Sequence, residues 1–294
     1  MKSSGQGTAV AVARAREVWS DPGLRQRLRE TAKYLTTTEV HTYAFSVAAN
    51  AILSFFPFLL LMFSVTERQL HSKLMSDVLV DLLRDYLPAG QDFVINNLRK
   101  MVWAHGGIKI FSLAMLLFSS SGVFLPLEVA LNKVWGLPKN RSYWGNQIVS
   151  LALAFGCGAL AMLSVAATAG NQYLISSVLG DFGNNVVVRG FEFGIMKIFA
   201  LIAGVLIFFS IFYVLPNGRV PFRPVLRSAL ITGVVWECCK YLYILSLPLL
   251  KLQDVYGPFS ISVTLMFWAF LSGLLLLGGA HLSSTRNSEE LATP

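Results

Sequence analysis

Six long apolar runs most constrain what this chain can fold into. They occupy residues 43–65, 110–131, 148–170, 193–215, 229–250 and 261–280. Each is about 20 residues long, enough helix to cross a hydrocarbon core of roughly 30 Å. Only 14% of the chain is charged, whereas a soluble domain is about one quarter charged. The sequence therefore predicts an all-α membrane protein with six transmembrane helices and excludes an ordinary soluble enzyme.

Basic residues between the runs predict the orientation, because cytoplasmic loops are normally rich in Lys and Arg. Residues 1–42 and the short loops after the second and fourth runs are basic. The only basic residue in the loop after the third run is Arg189, and the only one in the loop after the fifth run is Lys251. Both termini are therefore predicted to be cytoplasmic. The net charge of +8 follows from this topology, and we expect no nucleic-acid partner.

Three parts follow from this reading: a cytoplasmic amphipathic segment (1–42), the six-span membrane domain (43–281) and a cytoplasmic tail (282–294). Residues 1–42 lack the apolar core and cleavage site of a signal peptide, so the first run is expected to be an uncleaved anchor. Apolar residues recur at helical spacing within 18–35, beside three arginines. This helix is expected either on the anionic inner leaflet or packed on the protein's own cytoplasmic face.

The first extracytoplasmic loop, 66–107, is patterned rather than a plain connector. Apolar residues recur every four positions from Leu70 to Tyr86, a Pro-Ala-Gly sequence follows, and a second amphipathic stretch begins at Phe93. This pattern predicts an amphipathic helical hairpin that caps the outer mouth of the bundle.

The first helix of this hairpin carries a line of acidic residues: Asp77, Asp81 and Asp85. Lys73 and Arg84 lie at helical pairing distance from them. We therefore favour a solvated, charge-compensated face over a cation site.

Ionisable groups within a span are costly, so they are candidates for function. Glu237 and Lys240 lie three residues apart in the fifth run and share a helix face. Glu237 lies about 15 Å of helix rise beyond Arg227, close to the bilayer centre. The pair is either a site for a proton or substrate or a neutralised pair that locks the bundle, and the sequence leaves both open.

Two further charged residues lie nearer the ends of spans. Glu128 precedes Asn132 by four residues and Lys133 by five, at the predicted inner end of the second run. We expect an interfacial salt bridge there and retain Glu128 and Asn132 as candidates for a substrate pathway. Lys197 lies near the outer end of the fourth run, where its side chain can reach water, and it receives little functional weight.

Small and polar residues interrupt the second run, and a proline interrupts the first. Interrupted helices free backbone groups that need protein or water partners, and transporters often build their sites from them. Alternatively, small residues simply allow helices to pack closely. The candidate pathway residues here are Asn50, Ser54, Ser120 and Ser121, and the candidate kinks are Pro57, Gly122 and Pro126.

Motifs for catalysis are missing from the sequence. The four histidines are scattered, and no HExxH, GxSxG or GxxxxGK[ST] pattern occurs. The three cysteines all fall within apolar runs and form no metal-binding pair. We therefore predict that the chain is not an enzyme and that it has no catalytic residues, metal or cofactor.

Several strings together resemble the YihY/BrkB family of bacterial six-span membrane proteins. They are AILSFFP at 51–57, LEVALNKVWG at 127–136, YVLPNGRV at 213–220, Trp236-Glu237 with Lys240-Tyr241, and YGP at 256–258. The similarity covers about residues 30–282. It implies an inner-membrane protein linked to envelope integrity and often suspected of transport. Some members have carried a ribonuclease BN label, but this sequence lacks the metal-ligand or acid-base set that RNA cleavage needs.

The leading hypothesis is a bacterial inner-membrane transporter or exporter of a small solute or an amphiphile such as a lipid. Without a nucleotide-binding motif, transport would follow an ion gradient or be passive, and Glu237 is the candidate for proton coupling. The alternative is a non-transporting envelope or scaffold protein. The expected partners are membrane lipids, the unknown transported molecule and a second copy of the chain.

Overall fold

The computed structural model describes residues 22–86, 91–103, 122–138, 140–179 and 186–290, and these residues form helices joined by short turns and loops, without any strand. A π-helical turn, Val65–Gln69, follows the second helix, and a short 3-10 turn, Gly257–Phe259, precedes the last. In chain order the α-helices are α1 Pro22–Leu35, α2 Thr38–Ser64, α3 Lys73–Tyr86, α4 Gln91–Trp103, α5 122–134, α6 Tyr143–Leu179, α7 Val186–Val214, α8 Phe222–Leu250, α9 Leu252–Tyr256 and α10 Ser260–Glu290.

Within the described residues, five helices are long and apolar enough to cross a membrane. They are Thr38–Glu67, Tyr143–Asn171, Phe193–Val214, Phe222–Leu250 and Ser260–Ser284. These helices coincide with the first, third, fourth, fifth and sixth predicted runs, so the all-α membrane class is confirmed. Only residues 122–131 of the second run are described, as part of α5. The sixth span therefore stays a prediction.

The bundle is organised around α10, which packs between α2 and α8. Small residues allow these helices to approach closely. The backbone at Gly273 lies against Ala44 of α2, and Gly279 lies against Thr232 of α8. One cluster of buried apolar residues joins α2, α5, α6, α7, α8 and α10. A second cluster joins α2, α3, α4, α6 and α10.

Helix α1 contacts the C-terminal part of α10. The Thr31 hydroxyl lies 3.0 Å from His281 Nδ1, and the Tyr34 ring stacks on the His281 ring with centroids 4.4 Å apart. Arg25 and Arg29 remain exposed. Of the two positions expected for this amphipathic helix, these contacts favour packing on the protein itself.

Helices α3 and α4 occupy the segment where a hairpin was predicted. Both bury apolar residues, notably Val78 and Leu83 from α3 and Val94 and Leu98 from α4. Helix α4 packs against α2, and α3 packs against α6 and the π-helical turn. The connection at 87–90 lies outside the described residues. The hairpin itself and its position outside the membrane therefore stay predictions.

Candidate functional site

A charged pair is buried within α8. Lys240 Nζ lies 2.7 Å from Glu237 Oε2, and the exposed fractions of the two side chains are 1% and 19%. The Lys240 ammonium group also lies 5.8 Å from the centre of the Trp236 ring and 4.6 Å from that of Tyr241. Aromatic faces attract cations. The ammonium group is therefore held by one carboxylate and two rings.

The packing of α8 against α10 explains why Lys240 is buried. Trp236 Nε1 donates a hydrogen bond of 2.9 Å to Ser272 Oγ, and the Tyr243 hydroxyl donates one of 2.9 Å to the Thr264 carbonyl oxygen. Lys240 lies between these two contacts at helical spacing, so its side chain belongs to the inward stripe of the helix. The structure thus brings together the two residues predicted to share a face, and their function stays a prediction.

Sequence reasoning missed the contribution of Lys197. Its ammonium group lies 5.2 Å from the centre of the Tyr241 ring and 4.7 Å from that of Phe193. Tyr241 is therefore flanked by two lysines, one from α7 and one from α8. We name Lys197, Glu237, Lys240 and Tyr241 the lysine site. No sequence spacing relates Lys197 to Lys240, because their proximity depends on how α7 packs against α8.

Asn50 and the second run meet at Gly122. A Cβ atom at Gly122 would lie 2.0 Å from Asn50 Oδ1, so any larger residue there would require the Asn50 side chain to move. Asn50 Nδ2 donates a 2.9 Å hydrogen bond to the Ser46 carbonyl oxygen of its own helix. Two predicted pathway elements are thus adjacent. Ser120 and Ser121 lie outside the described residues.

Helix α2 continues through Pro57. The Ser54 hydroxyl lies 3.0 Å from the carbonyl oxygens of both Asn50 and Ala51, one turn before the proline. Pro126 likewise lies within α5, which continues to residue 134. Both helices continue past these prolines. The candidate kinks, and a role for any of these residues in a substrate pathway, stay predictions.

Glu128 and Asn132 belong to a different group of contacts, near the end of α5. Glu128 is 1% exposed, and its Oε1 accepts hydrogen bonds from the Arg141 backbone N–H (2.9 Å) and from Asn132 Nδ2 (3.4 Å). Asn132 Oδ1 in turn accepts a 2.7 Å bond from the Asn217 backbone N–H. The two candidates therefore connect the end of α5 to two loops.

Arg141 completes this group. Its guanidinium donates to the carbonyl oxygens of Val214 (3.1 Å), Leu215 and Pro216 (3.0 Å), and Nη1 lies 3.9 Å from Glu128 Oε1. We name Glu128, Asn132, Arg141 and the backbone of 214–217 the loop cluster. An interfacial salt bridge of Glu128 was predicted, and its partner is Arg141 rather than the nearby Lys133.

A left-handed residue directs the chain into the loop cluster. Gly136 has φ +64°, and the Leu137 N–H bonds to the Asn132 carbonyl oxygen at 2.8 Å. This is the glycine-terminated end that an α-helix commonly adopts. Lys133 instead forms an exposed ion pair with Glu39 of α2, and this hydrogen bond raises the pKa of Lys133.

Helices α3 and α4 carry charges that largely pair with each other. Arg99 lies 3.7 Å from Asp77, and Arg84 lies 3.4 Å from Asp92. Partial burial raises the pKa of Asp81, although Arg84 opposes this shift. The ion pairs of Asp77 and Arg84 are made with α4, and Arg84 also interacts with Asp81 on its own helix, as predicted. These pairs fit a charge-compensated face.

An open cleft of about 430 Å³ adjoins these helices. It is lined by Glu67, His71, Lys73, Ser76, Asp77 and Arg99. Ser76 donates a 2.9 Å hydrogen bond to Glu67 Oε1. Across the residues that the structure describes, no group of three His, Cys, Asp or Glu side chains is arranged to hold a metal ion.

Comparison with known proteins identifies the family of this chain. A family model described as virulence factor BrkB matches residues 31–293, and the chain belongs to this family of membrane proteins. A UPF0761 membrane protein of Pseudoalteromonas atlantica is 25% identical over 90% of this chain and 89% of its own length. A putative ribonuclease-like protein, YfkH of Bacillus subtilis, is 24% identical over 87% of this chain and 94% of its own length.

A further relative, a UPF0761 membrane protein of Cronobacter sakazakii, is 24% identical over 83% of this chain and 82% of its own length. No solved structure matches the chain. The comparisons thus define a multi-pass membrane protein and indicate no catalytic enzyme family. The resemblance stated from the sequence motifs is confirmed.

Proposed function

We propose that this protein is a bacterial inner-membrane transporter or exporter of a small solute or amphiphile, with both termini in the cytoplasm. The observation that carries this proposal is the pair Glu237–Lys240, in which a lysine only 1% exposed lies inside a membrane-spanning helix. A charge at membrane depth is costly and usually marks a substrate or proton pathway.

The energetics of the pair support a functional role. Buried ion pairs are often less stabilising than apolar residues of similar volume, because desolvation offsets the Coulomb attraction. A pair that only locked the bundle would therefore be a poor choice for stability. Glu237 retains some exposure and has the ionisable carboxyl group that proton coupling requires.

A non-transporting envelope or scaffold protein is the second candidate. The observation in its favour is the apolar cluster that fills one part of the bundle across α2, α5, α6, α7, α8 and α10. Under this alternative, function in cells would survive Glu237→Gln and would be lost when residues 66–107 are deleted.

Reconstitution into liposomes tests the transport proposal. The vesicles contain lipids with a fluorescent headgroup and an internal pH-sensitive dye, which report lipid movement between leaflets and proton flux. We expect the wild-type protein to accelerate at least one of these processes over protein-free vesicles, and Glu237→Gln to reduce it at least tenfold.

Asp254→Asn is the matched control, because Asp254 is an exposed acid on α9. It should leave both rates unchanged. Wild-type rates equal to those of empty vesicles, together with cell function that persists in Glu237→Gln, would reject transport and support the scaffold alternative.

A further inference from the structure

The open cleft beside α3 and α4 presents charges of both signs to one space of about 430 Å³. We name this space the charged cleft. Its walls include the carboxylates of Glu67 and Asp77 and the cationic side chains of Lys73 and Arg99. Its volume is typical of sites for small molecules. A ligand that fills the charged cleft meets both kinds of charge, so a complementary ligand carries both as well.

Most charges of the charged cleft are within reach of a ligand. Lys73 and His71 are exposed. Arg99 lies 3.7 Å from Asp77, and their side chains are 46% and 51% exposed. Because exposed ion pairs contribute little to stability, a ligand can replace either partner of this pair at small cost. The Arg99 guanidinium supplies a fork of donors and Lys73 a point charge, which are the two kinds of group with which proteins bind phosphate.

One buried oxygen of the charged cleft lacks a hydrogen-bond donor among the described residues. Glu67 Oε1 accepts a 2.9 Å bond from the buried Ser76 hydroxyl, whereas Glu67 Oε2 is buried without a partner. An unsatisfied buried acceptor costs free energy. Glu67 as a whole is partly exposed and lines the cleft, so rotation of its carboxyl group turns this oxygen toward a ligand. A protonated amine would supply the missing donor in a charge-assisted bond.

The backbone beside Glu67 departs from the regular α-helix. The Leu70 N–H bonds to the Val65 carbonyl oxygen at 2.9 Å, which is the hydrogen bond of a π-helical turn, and such turns are frequent at functional sites. His71 follows with a left-handed φ of +48°, a costly conformation for a residue with a side chain. The candidate span that contains α2 ends at Glu67, so both soluble molecules and lipid headgroups can reach the cleft.

We propose that the charged cleft binds a phosphate ester that carries a protonated amine, the chemistry of ethanolamine phosphate. The phosphate group lies against Arg99 and Lys73, and the ammonium group lies against Glu67 and Asp77. A free ester and the headgroup of phosphatidylethanolamine share this chemistry. The cleft involves none of the residues of the lysine site, so this inference stands independently of the proposed transport function.

Calorimetric titration of the full chain in uncharged maltoside micelles tests this proposal. The probes are ethanolamine phosphate and dihexanoyl phosphatidylethanolamine, compared with ethanolamine, inorganic phosphate and β-alanine. We expect at least one of the two amine-bearing phosphate esters to bind about tenfold more tightly than each of the other three compounds. Binding of ethanolamine phosphate alone identifies a soluble ligand, whereas binding of the short-chain lipid identifies a headgroup site, and either result supports the proposal.

Two variants test the two ends of the ligand. Glu67→Gln retains an oxygen that accepts the Ser76 bond but removes the negative charge, and Arg99→Gln removes the guanidinium. Each should weaken binding of the ester about tenfold, while circular dichroism shows an unchanged helical fold. Arg84→Gln is the matched control, because Arg84 forms another exposed ion pair between α3 and α4, with Asp92.

Three results would overturn the proposal. They are an equal loss of affinity in Arg84→Gln, binding of inorganic phosphate, ethanolamine or β-alanine as tight as that of the esters, and no binding of either ester to the wild type. The second result would identify a site for a single charge or for a carboxylate rather than for an amine-bearing phosphate ester.

Discussion

The loop cluster and the lysine site both contain buried charges in apolar surroundings, but their charges have different partners. In the loop cluster, the Arg141 guanidinium donates to three main-chain carbonyl oxygens, and Glu128 accepts from a main-chain N–H. In the lysine site, Lys240 contacts a carboxylate and two aromatic rings.

Under the proposed function, this difference separates a structural role from a binding role. Main-chain partners exist only while both loops keep their conformation, so the charges of the loop cluster and the fold around them depend on each other. Side chains can exchange one partner for another by rotation, without any change of the backbone. Under the proposed function, a ligand would therefore compete for the charges of the lysine site but not for those of the loop cluster.

The largest expected effect comes from removing the carboxylate of the loop cluster. Glu128→Ala leaves the Arg141 N–H and guanidinium without this acceptor in a buried region, and loss of one partner of a buried pair costs about 3–5 kcal/mol. We expect the free energy of unfolding in detergent to fall by about this amount. Chemical denaturation followed by circular dichroism measures it.

Glu39→Ala provides the control, because Glu39 forms the exposed ion pair with Lys133 near the same end of α5. Exposed pairs contribute little to stability, so we expect no measurable change. Equal stability of Glu128→Ala and Glu39→Ala would show that the loop cluster does not hold the fold and would remove the contrast between the two regions.

The second prediction replaces both partners of the lysine site pair with apolar residues. In Glu237→Leu/Lys240→Met, the carboxylate and its ion-pair partner are removed together, so we expect stability to be unchanged or raised by about 1–4 kcal/mol. Transport in the liposome assay should nevertheless be lost. Denaturation and transport are measured on the same preparation.

The matching double variant in the loop cluster is Glu128→Leu/Arg141→Met. It should be destabilised, because the carbonyl oxygens of 214–216 lose their donors and the main-chain N–H at position 141 loses its carboxylate acceptor. If the lysine site double variant loses as much stability as this one, the buried pair in α8 is a structural lock, which is the alternative that the sequence left open.

Sequence alone could predict much of the fold, because a bilayer demands long apolar helices and the chain supplies them. The five spans that the structure describes coincide with predicted runs. Helix ends were less predictable: α2 begins at Thr38 and α8 at Phe222, both earlier than the apolar runs. Polar residues can extend a helix beyond the hydrocarbon core, so hydropathy does not mark these ends.

The sites were only partly predictable. Glu237 and Lys240 are three residues apart, and helical geometry fixes that proximity. Arg141 lies 13 residues from Glu128, and Lys197 lies on a different helix from Lys240. Their contacts depend on the turn at Gly136 and on the rotation of α7 against α8, which a single sequence does not determine.

The smallest expected effect concerns the contact of α1 with α10. It tests whether these side-chain contacts hold α1 in place, as the loop cluster holds its two loops. Burial raises the pKa of Tyr34 from 10.0 to about 12, with further contributions from Tyr43 and Glu39. The neutral phenol is thus favoured in the folded state. Its contribution to stability is fully present below about pH 10 and is lost as the pH rises through about 12.

Tyr34→Phe cannot ionise, so its stability relative to the wild type should rise over this pH range. The difference in phenolate absorbance between the two proteins should titrate near pH 12 rather than near 10. A difference that titrates near 10 would mean that Tyr34 is open to water and that α1 is not held against α10. The helix would then be free to lie on the membrane surface, and contacts such as those of Arg141 would fix this end of the bundle without it.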